Sequence, residues 1–105
     1  MYGTVFRMRA LPGKEQELLA LGERWTRELG SRTPGYVGEY VYRLDTNPRE
    51  FIGAVLFESR EAYMANANSP EQDRWYQDFR ALLESDPEWN DGEIVFAWPQ
   101  GSTRP

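Results

Sequence analysis

The stretch FIGAVLFESREAYMANANSPEQDRWYQDF, residues 51–79, contains the signals for one strand and two helices in succession. Apolar or small side chains occupy both period-two faces of residues 51–58, which predicts a strand that is covered on both sides. Ser59 is a typical N-cap and predicts a short helix that runs through Asn66. We therefore expect a strand followed by a helical region that is broken into two parts.

The second of these helices is predicted to begin at Ser69. Pro70 then takes the first helical position and Gln72 lies three residues after the cap, which is a capping box of the S-x-x-Q type. Asp86-Pro87 ends the helix. Its apolar side chains fall at i, i+1, i+4, i+7 and i+8 and form one face: Trp75, Tyr76, Phe79, Leu82 and Leu83.

Upstream of this stretch the pattern predicts two more strands and another helix. Residues 2–11 alternate between an apolar face and a face with arginines, as a half-buried strand does. A helix with acidic residues in its first turn begins near Glu15 and ends near Gly30. Residues 36–44 read as a second strand, which a loop at residues 45–48 joins to the third.

Downstream, a turn at residues 90–92 and a last strand at residues 93–98 complete the chain. The order is β-α-β-β-α-β with the second helical region split. This order predicts an α+β, ferredoxin-like fold with a four-stranded antiparallel sheet and helices on one face. Residues 1–98 would form a single domain, and residues 99–105 a disordered tail.

The composition excludes several classes of function. The 105 residues suit one domain, and the absence of Cys and His removes disulfides, thiolate and Ser–His catalysis, and histidine-ligated zinc or haem. A net charge of −5 argues against nucleic-acid binding. No apolar run could span a membrane and the first residues do not resemble a secretory leader, so the expected location is the cytoplasm. No metal or cofactor is predicted, and one acidic group is interpreted as solvated loop charge: Glu84, Asp86, Glu88 and Asp91.

The predicted sheet is apolar on both faces, although its helices can cover only one. In the third strand, for example, Phe51, Val55 and Phe57 lie on one side while Ile52 and Leu56 lie on the other. A second copy of the same sheet is the simplest cover, because most homo-oligomers have two-fold symmetry. We therefore expect a homodimer. The alternative is a monomer that uses an exposed aromatic face for another partner.

Two segments carry a family likeness. FESREAYMANANSPEQDRWY, residues 57–76, and DPEWNDGE, residues 86–93, resemble the antibiotic biosynthesis monooxygenase-like family of dimeric α+β barrels. The shared pattern is a strand that ends in an aromatic residue, an S-x-E-A-Y/W helix start, an S-P helix start and an aromatic pair. The likeness covers roughly residues 2–98 in order and spacing.

This resemblance implies a homodimer with back-to-back sheets and a cavity between sheet and helices in each subunit. Members include cofactor-independent oxygenases of aromatic polyketides and haem-degrading enzymes. The haem degraders use a His iron ligand, which this chain lacks, so the resemblance favours a cofactor-independent monooxygenase acting on an aromatic or quinonoid metabolite.

The oxygenases of the family place Asn, Trp, Tyr and often His and Arg around the substrate. On this chain the resemblance implies Asn66 (or Asn68) as an oxyanion donor, Tyr76 as a proton donor or relay and Arg9 (or its neighbour Arg7) as an anion stabiliser. No residue is assigned as the base, since His is missing. The implied substrate-binding residues are Trp75, Tyr63, Asn68 and Phe79.

Each of these assignments has a structural alternative. Core packing also accounts for Trp75 and Phe79, and local capping for Asn66 and Asn68. Three functions therefore stay open: an enzyme, a dimeric barrel that binds a small apolar ligand without turnover, and a structural protein with a filled interior. A cavity with several polar groups among aromatic walls would favour the enzyme, and an apolar cavity the binding protein.

Overall fold

The computed structural model describes residues 1–98, and these form one antiparallel sheet with helices on one face. The strands are β1 (Tyr2–Arg9), β2 (Tyr36–Leu44), β3 (Asn47–Phe57) and β4 (Glu88–Glu93). The helices are α1 (Glu15–Glu28), α2 (Arg60–Ala67) and α3 (Pro70–Arg80), with a short 3-10 turn at Gly30–Arg32. The strand order is β2-β3-β1-β4 and all neighbours are antiparallel. The predicted ferredoxin-like α+β fold is confirmed. The predicted tail, residues 99–105, lies outside the described residues.

The position of the last strand differs from the prediction. The predicted turn at residues 90–92 is the middle of β4, where Asn90 pairs with Val5 and its side-chain amide donates to the Val5 carbonyl at 3.0 Å. Glu93 pairs with Tyr2, the first residue of β1. The chain after Glu93 therefore extends past the start of β1 and has no neighbouring strand in the described sheet. The predicted strand at residues 93–98 was therefore wrong, and Val95, Phe96 and Trp98 are each at least 80% exposed.

The hairpin between β2 and β3 is tighter than predicted. Leu44 pairs with Asn47, so only residues 45–46 form the turn and β3 begins before the predicted Phe51. The register of β2 also shifts between Tyr36 and Gly38. This irregularity turns the Tyr36 ring towards the helices, whereas strict alternation would have placed it on the other face with Tyr40.

Both predicted N-caps are confirmed. The Ser59 hydroxyl accepts from the Ala62 backbone N–H, and the Ser69 hydroxyl from that of Gln72, both at 3.1 Å. The reciprocal half of the capping box is replaced, because the Gln72 side chain accepts from the Trp25 indole N–H at 2.8 Å. α2 has no fully buried residue, whereas α3 buries Phe79.

The main core lies between the sheet and helices α1 and α3. The predicted helical positions of Leu82 and Leu83 fall after α3, where Leu83 forms a β-bridge with Ala10. That bridge holds the end of α3 against the sheet. The buried members of the core are Phe6, Met8, Ala10, Leu18, Leu21, Phe51, Phe79 and Leu83.

The face of the sheet that points away from the helices, here called the open face, exposes apolar side chains. Val5 is 50% exposed, Tyr40 67% and Tyr42 65%. Ala54 lies between Val5 and Tyr40 in the strand register, with Ile52 and Leu56 beside it. At one end of this face Arg7 and Arg9 both form ion pairs with Glu50.

Candidate functional site

A cavity of about 570 Å³ lies between the sheet and the three helices. Its aromatic lining comes from every layer of the fold: Phe6 and Phe57 from the sheet, Trp25 from α1 and Trp75 from α3. Trp75 stacks on Phe79 with ring centroids 4.8 Å apart, and it meets Trp25 edge-on at 6.3 Å. Since this volume is in the range of small-molecule sites, the cavity can hold a ligand of several rings.

One row of residues across the sheet carries three of the polar groups of the cavity. In the strand register Glu39 pairs with Val55, Val55 with Thr4, and Thr4 with Asp91. All four line the cavity. Adjacent strands are about 4.8 Å apart, so the three steps separate the backbones of Glu39 and Asp91 by roughly 14 Å. The row therefore has a carboxylate at each end and an apolar residue and a hydroxyl between them.

Each carboxylate of this row accepts a hydrogen bond from a tyrosine. The Tyr36 hydroxyl donates to Glu39 at 3.1 Å, and the Tyr63 hydroxyl donates to Asp91 at 2.8 Å. Burial and the adjacent Glu39 carboxylate raise the pKa of Tyr36 to about 12. Burial and the hydrogen bond to Asp91 raise the pKa of Tyr63 to about 12 as well. Both phenols are therefore hydrogen-bond donors at neutral pH and cannot serve as bases.

Glu39 differs from an ordinary surface glutamate. Burial raises its pKa, and the hydrogen bond from Tyr36 opposes this only in part. The bond occupies one carboxylate oxygen, Oε1. The other oxygen, Oε2, has no hydrogen-bond partner among residues 1–98, so it can interact with a ligand in the cavity.

Five of the seven residues predicted for the site line this cavity: Tyr63, Asn66, Trp75, Tyr76 and Phe79. Asn66 and Tyr63 come from α2, and the other three from α3. Within the described part of the chain, neither the Asn66 amide nor the Tyr76 hydroxyl forms a side-chain hydrogen bond. Both groups are therefore available to a bound molecule.

The other two predicted residues lie elsewhere. Arg9 points to the open face, where it pairs with Glu50 at 3.3 Å, because β1 alternates and Met8 takes the helix side. Arg7 lies on the same face. Asn68 is exposed at the end of α2, and its backbone N–H donates to the Met64 carbonyl. Neither Arg9 nor Asn68 lines the cavity.

Sequence reasoning did not find the two carboxylates of the row. The signal for Glu39 was present, since it is a lone acidic residue in a strand of apolar and aromatic residues. Asp91 could not be recognised, because Asn-Asp-Gly is a strong turn signal and hid the strand. Among residues 1–98 no cluster of acidic side chains is arranged to hold a metal ion.

An α+β domain of ferredoxin-like topology with a ligand-sized cavity between sheet and helices is the class of protein that these observations define. The chain belongs to the antibiotic biosynthesis monooxygenase family, whose sequence profile matches residues 1–78. The family resemblance predicted from the sequence is thus confirmed. None of the helices in residues 1–98 is long and apolar enough to cross a membrane.

Solved structures share the fold at low sequence identity. SnoaB, a cofactor-independent oxygenase from Streptomyces nogalater, superposes with a TM-score of 0.79 at 18% identity, covering 93% of this chain and 96% of that one. A conserved protein from Methanosarcina mazei superposes with a TM-score of 0.76 at 18% sequence identity, covering 87% of this chain and 89% of that one. A protein of unknown function from Nitrosomonas europaea superposes with a TM-score of 0.74 at 20% sequence identity, covering 91% of this chain and 90% of that one. No curated protein sequence matches this chain.

Proposed function

We propose that this chain is a cofactor-independent monooxygenase that oxidises an aromatic or quinonoid metabolite. The observation that carries the proposal is the cavity of about 570 Å³, in which the Asn66 and Tyr76 side chains, which have no hydrogen-bond partner among residues 1–98, lie among aromatic walls. Family membership and the shared fold with SnoaB, a cofactor-independent oxygenase, support it.

In this reaction the substrate supplies the electrons. A hydroxyanthrone, for example, loses a proton, and the resulting carbanion passes an electron to O₂ and combines with the superoxide to form a peroxide. Loss of the second proton from the same carbon breaks the O–O bond. One oxygen atom stays as a carbonyl and the other leaves as water with both hydrogens of the original CH₂ group.

The residues of the cavity would assist this chemistry by position and by hydrogen bonding. Trp75 and Phe79 would hold the flat ring system, and the Tyr63 oxygen, whose proton is donated to Asp91, would accept a hydrogen bond from its polar edge. Asn66 would donate to the developing oxyanion, and Tyr76 to the peroxide. Donors that are fixed in a site shielded from water stabilise such charge without reorganisation. Arg9 and Asn68 have no part in this proposal, since they lie outside the cavity.

The proposed assembly is a homodimer in which the open faces of two sheets pack together. Val5, Tyr40 and Tyr42 expose an apolar surface there, and surfaces of this kind mark interaction sites. The cavity lies on the other side of the sheet, so dimerisation would leave each site within one subunit.

Oxygen uptake with 1,8-dihydroxyanthrone tests the function. Asn66→Ala should lower kcat about 100-fold, as the loss of an oxyanion donor does. Tyr76→Phe should lower it about 10-fold or more through loss of a proton donor. Circular dichroism would verify that both variants are folded.

Asn68→Ala is the matched control, because it makes the same change two residues away and outside the cavity. Its rate should equal that of the wild type. Unchanged rates in both Asn66→Ala and Tyr76→Phe would refute this site. Binding of the anthrone without oxygen consumption above the buffer rate would instead favour a binding protein.

A further inference from the structure

The ionisable side chains that line the cavity, tyrosines apart, are all acidic. Glu23 and Asp73 lie at its exposed margin on α1 and α3, while Glu39 and Asp91 lie on β2 and β4. Within the described residues the lining contains no Lys or Arg. An anionic ligand would meet like charge on several sides, and like charges placed together cost several kcal/mol. The cavity therefore suits a neutral molecule.

The row from Glu39 to Asp91 adds a requirement for shape and hydrogen bonding. Its ends accept hydrogen bonds and its length is roughly 14 Å. Its middle consists of the apolar Val55 and of Thr4, whose hydroxyl is already engaged by the Asn90 backbone N–H at 3.2 Å. A complementary ligand is elongated, flat and apolar in the middle, with a hydroxyl group at each end. Fused-ring phenols and their enol tautomers have this form.

We propose that Glu39 is the general base of this site and that its free Oε2 takes the proton from the hydroxyl end of a neutral, fused-ring phenol or enol. The opposite end of the substrate would meet Asp91 and Tyr63. This assignment rests on the proposed oxygenase function. It narrows the substrate to neutral, fused-ring phenols or enols, and it supplies the proton acceptor that the proposed function did not name.

The surroundings of Glu39 suit this role. Tyr36 holds one carboxylate oxygen at 3.1 Å and thereby orients the other. Because burial raises the pKa of Glu39, its carboxylate is a stronger base than one in water. The high pKa values of Tyr36 and Tyr63 exclude these phenols as bases near neutral pH.

The proton balance of the reaction closes through Glu39. Its carboxylate first takes the hydroxyl proton of the enol, which leaves the substrate anion that reduces O₂. The Glu39 acid then returns this proton to the peroxide that forms. It takes the second proton as the carbonyl forms and delivers it to the departing hydroxide, which leaves as water.

The catalytic part is tested by oxygen uptake with 2,6-dihydroxyanthrone, which carries a hydroxyl at each end, between pH 5 and 9. Glu39→Gln should lower kcat about 100-fold, the usual contribution of a general base, and should abolish the rise of kcat with pH that ionisation of Glu39 causes. Glu39→Asp keeps the carboxylate and should keep part of the rate. Glu28→Gln, an exposed glutamate outside the cavity, is the matched control and should behave as the wild type.

The substrate class is tested by binding, without turnover. The probes are 2,6-dihydroxyanthraquinone and anthraquinone-2,6-disulfonate, which share one ring system and differ in charge, and tryptophan fluorescence reports their Kd. The wild type should bind the diol at least about 100-fold more tightly, given the cost of like charges. Glu39→Gln should reduce this preference, and so should lower pH, although Glu23, Asp73 and Asp91 also face the cavity and contribute to the pH dependence.

These outcomes separate the inference from the function on which it rests. Equal or tighter binding of the disulfonate would overturn the substrate class, and a Glu39→Gln variant with kcat within about threefold of the wild type would overturn the base. Loss of activity in Asn66→Ala but not in Glu39→Gln would leave the oxygenase standing without this base. Selective, Glu39-dependent binding of the diol without oxygen uptake would refute the oxygenase and still support the ligand class.

Discussion

At the scale of single residues, the cavity contains two kinds of polar group. Within each of the pairs Tyr36–Glu39 and Tyr63–Asp91, the tyrosine hydroxyl donates a hydrogen bond to the carboxylate. The side chains of Asn66 and Tyr76, in contrast, have no hydrogen-bond partner among residues 1–98. Paired groups are fixed in place by their hydrogen bonds, and unpaired ones are ready to bind. A site that must both orient a ligand and react with it needs both kinds.

The half-buried carboxylate of Glu39 should reduce the stability of the protein at neutral pH. Its pKa in the folded state is raised above the ordinary 4.5, so the folded state favours the protonated form. The protonated Glu39 side chain therefore adds to the free energy of unfolding below about pH 4.5, and this contribution is lost as the pH rises through the raised pKa. Glu39→Gln should therefore raise Tm at pH 7 by more than it does at pH 4, as measured by thermal denaturation. An equal change in Tm at both pH values would contradict this.

Much of the site was predictable residue by residue, and the exceptions have physical causes. Helical spacing placed Trp75, Tyr76 and Phe79 on one apolar face, and the family resemblance added Tyr63 and Asn66. Arg9 was misplaced although alternation with Met8 already put it on the opposite face of β1.

At the scale of elements, the chain follows the local signals of its two serine N-caps, but α3 ends at Arg80, before the end predicted at Asp86-Pro87. Both Ser caps form as predicted, whereas β4 begins five residues before its predicted start. Pairing with β1 overrides the turn preference of Asn-Asp-Gly at this point. β4 is an edge strand, so the residues of β1 that are available for pairing determine where it begins and ends. The register shift in β2 has no comparable signal in the sequence.

The two Ser caps should differ in their effect on the whole domain. Ser69→Ala should lower the free energy of unfolding by about 1 kcal/mol, because α3 buries Phe79 in the core. Ser59→Ala should have a smaller effect, because α2 has no fully buried residue and can fray without opening the core. Urea denaturation measures the free energy of unfolding of both variants. The rate of amide hydrogen exchange in α2 should increase only in Ser59→Ala. Equal losses of global stability would show that α2 and the core unfold together.

At the scale of the whole molecule, the sheet divides two tasks. The helix face encloses the cavity, and the open face presents Tyr40, Tyr42 and Val5 to the outside. The apolar character of both faces was apparent from the sequence, so the arrangement of layers could be predicted before the site. The family resemblance implied a cavity, but its volume could not be predicted, because the space left between layers depends on how Trp25 and Trp75 pack.

The proposed dimer can be tested at the centre of the open face. Ala54→Arg would place a charge between Val5 and Tyr40, where a second sheet leaves no room for it, and should give a monomer. Light scattering after size exclusion measures the mass. Ala20→Arg, the same change on the exposed side of α1, should leave the dimer intact. A wild-type chain that is monomeric at micromolar concentration would refute the proposed assembly.

The weak anchoring of α2 has a consequence for how this protein can diversify. This helix supplies Tyr63 and Asn66 to the cavity but no fully buried residue to the domain. Substitutions in it alter the contacts offered to a ligand without removing a fully buried residue, so they cost little stability except at Tyr63 and Ala62, which pack against Phe57 and Gly35. New ligand preferences can therefore accumulate in α2 through single mutations, and a mutant library intended to change selectivity should begin with residues 60–67.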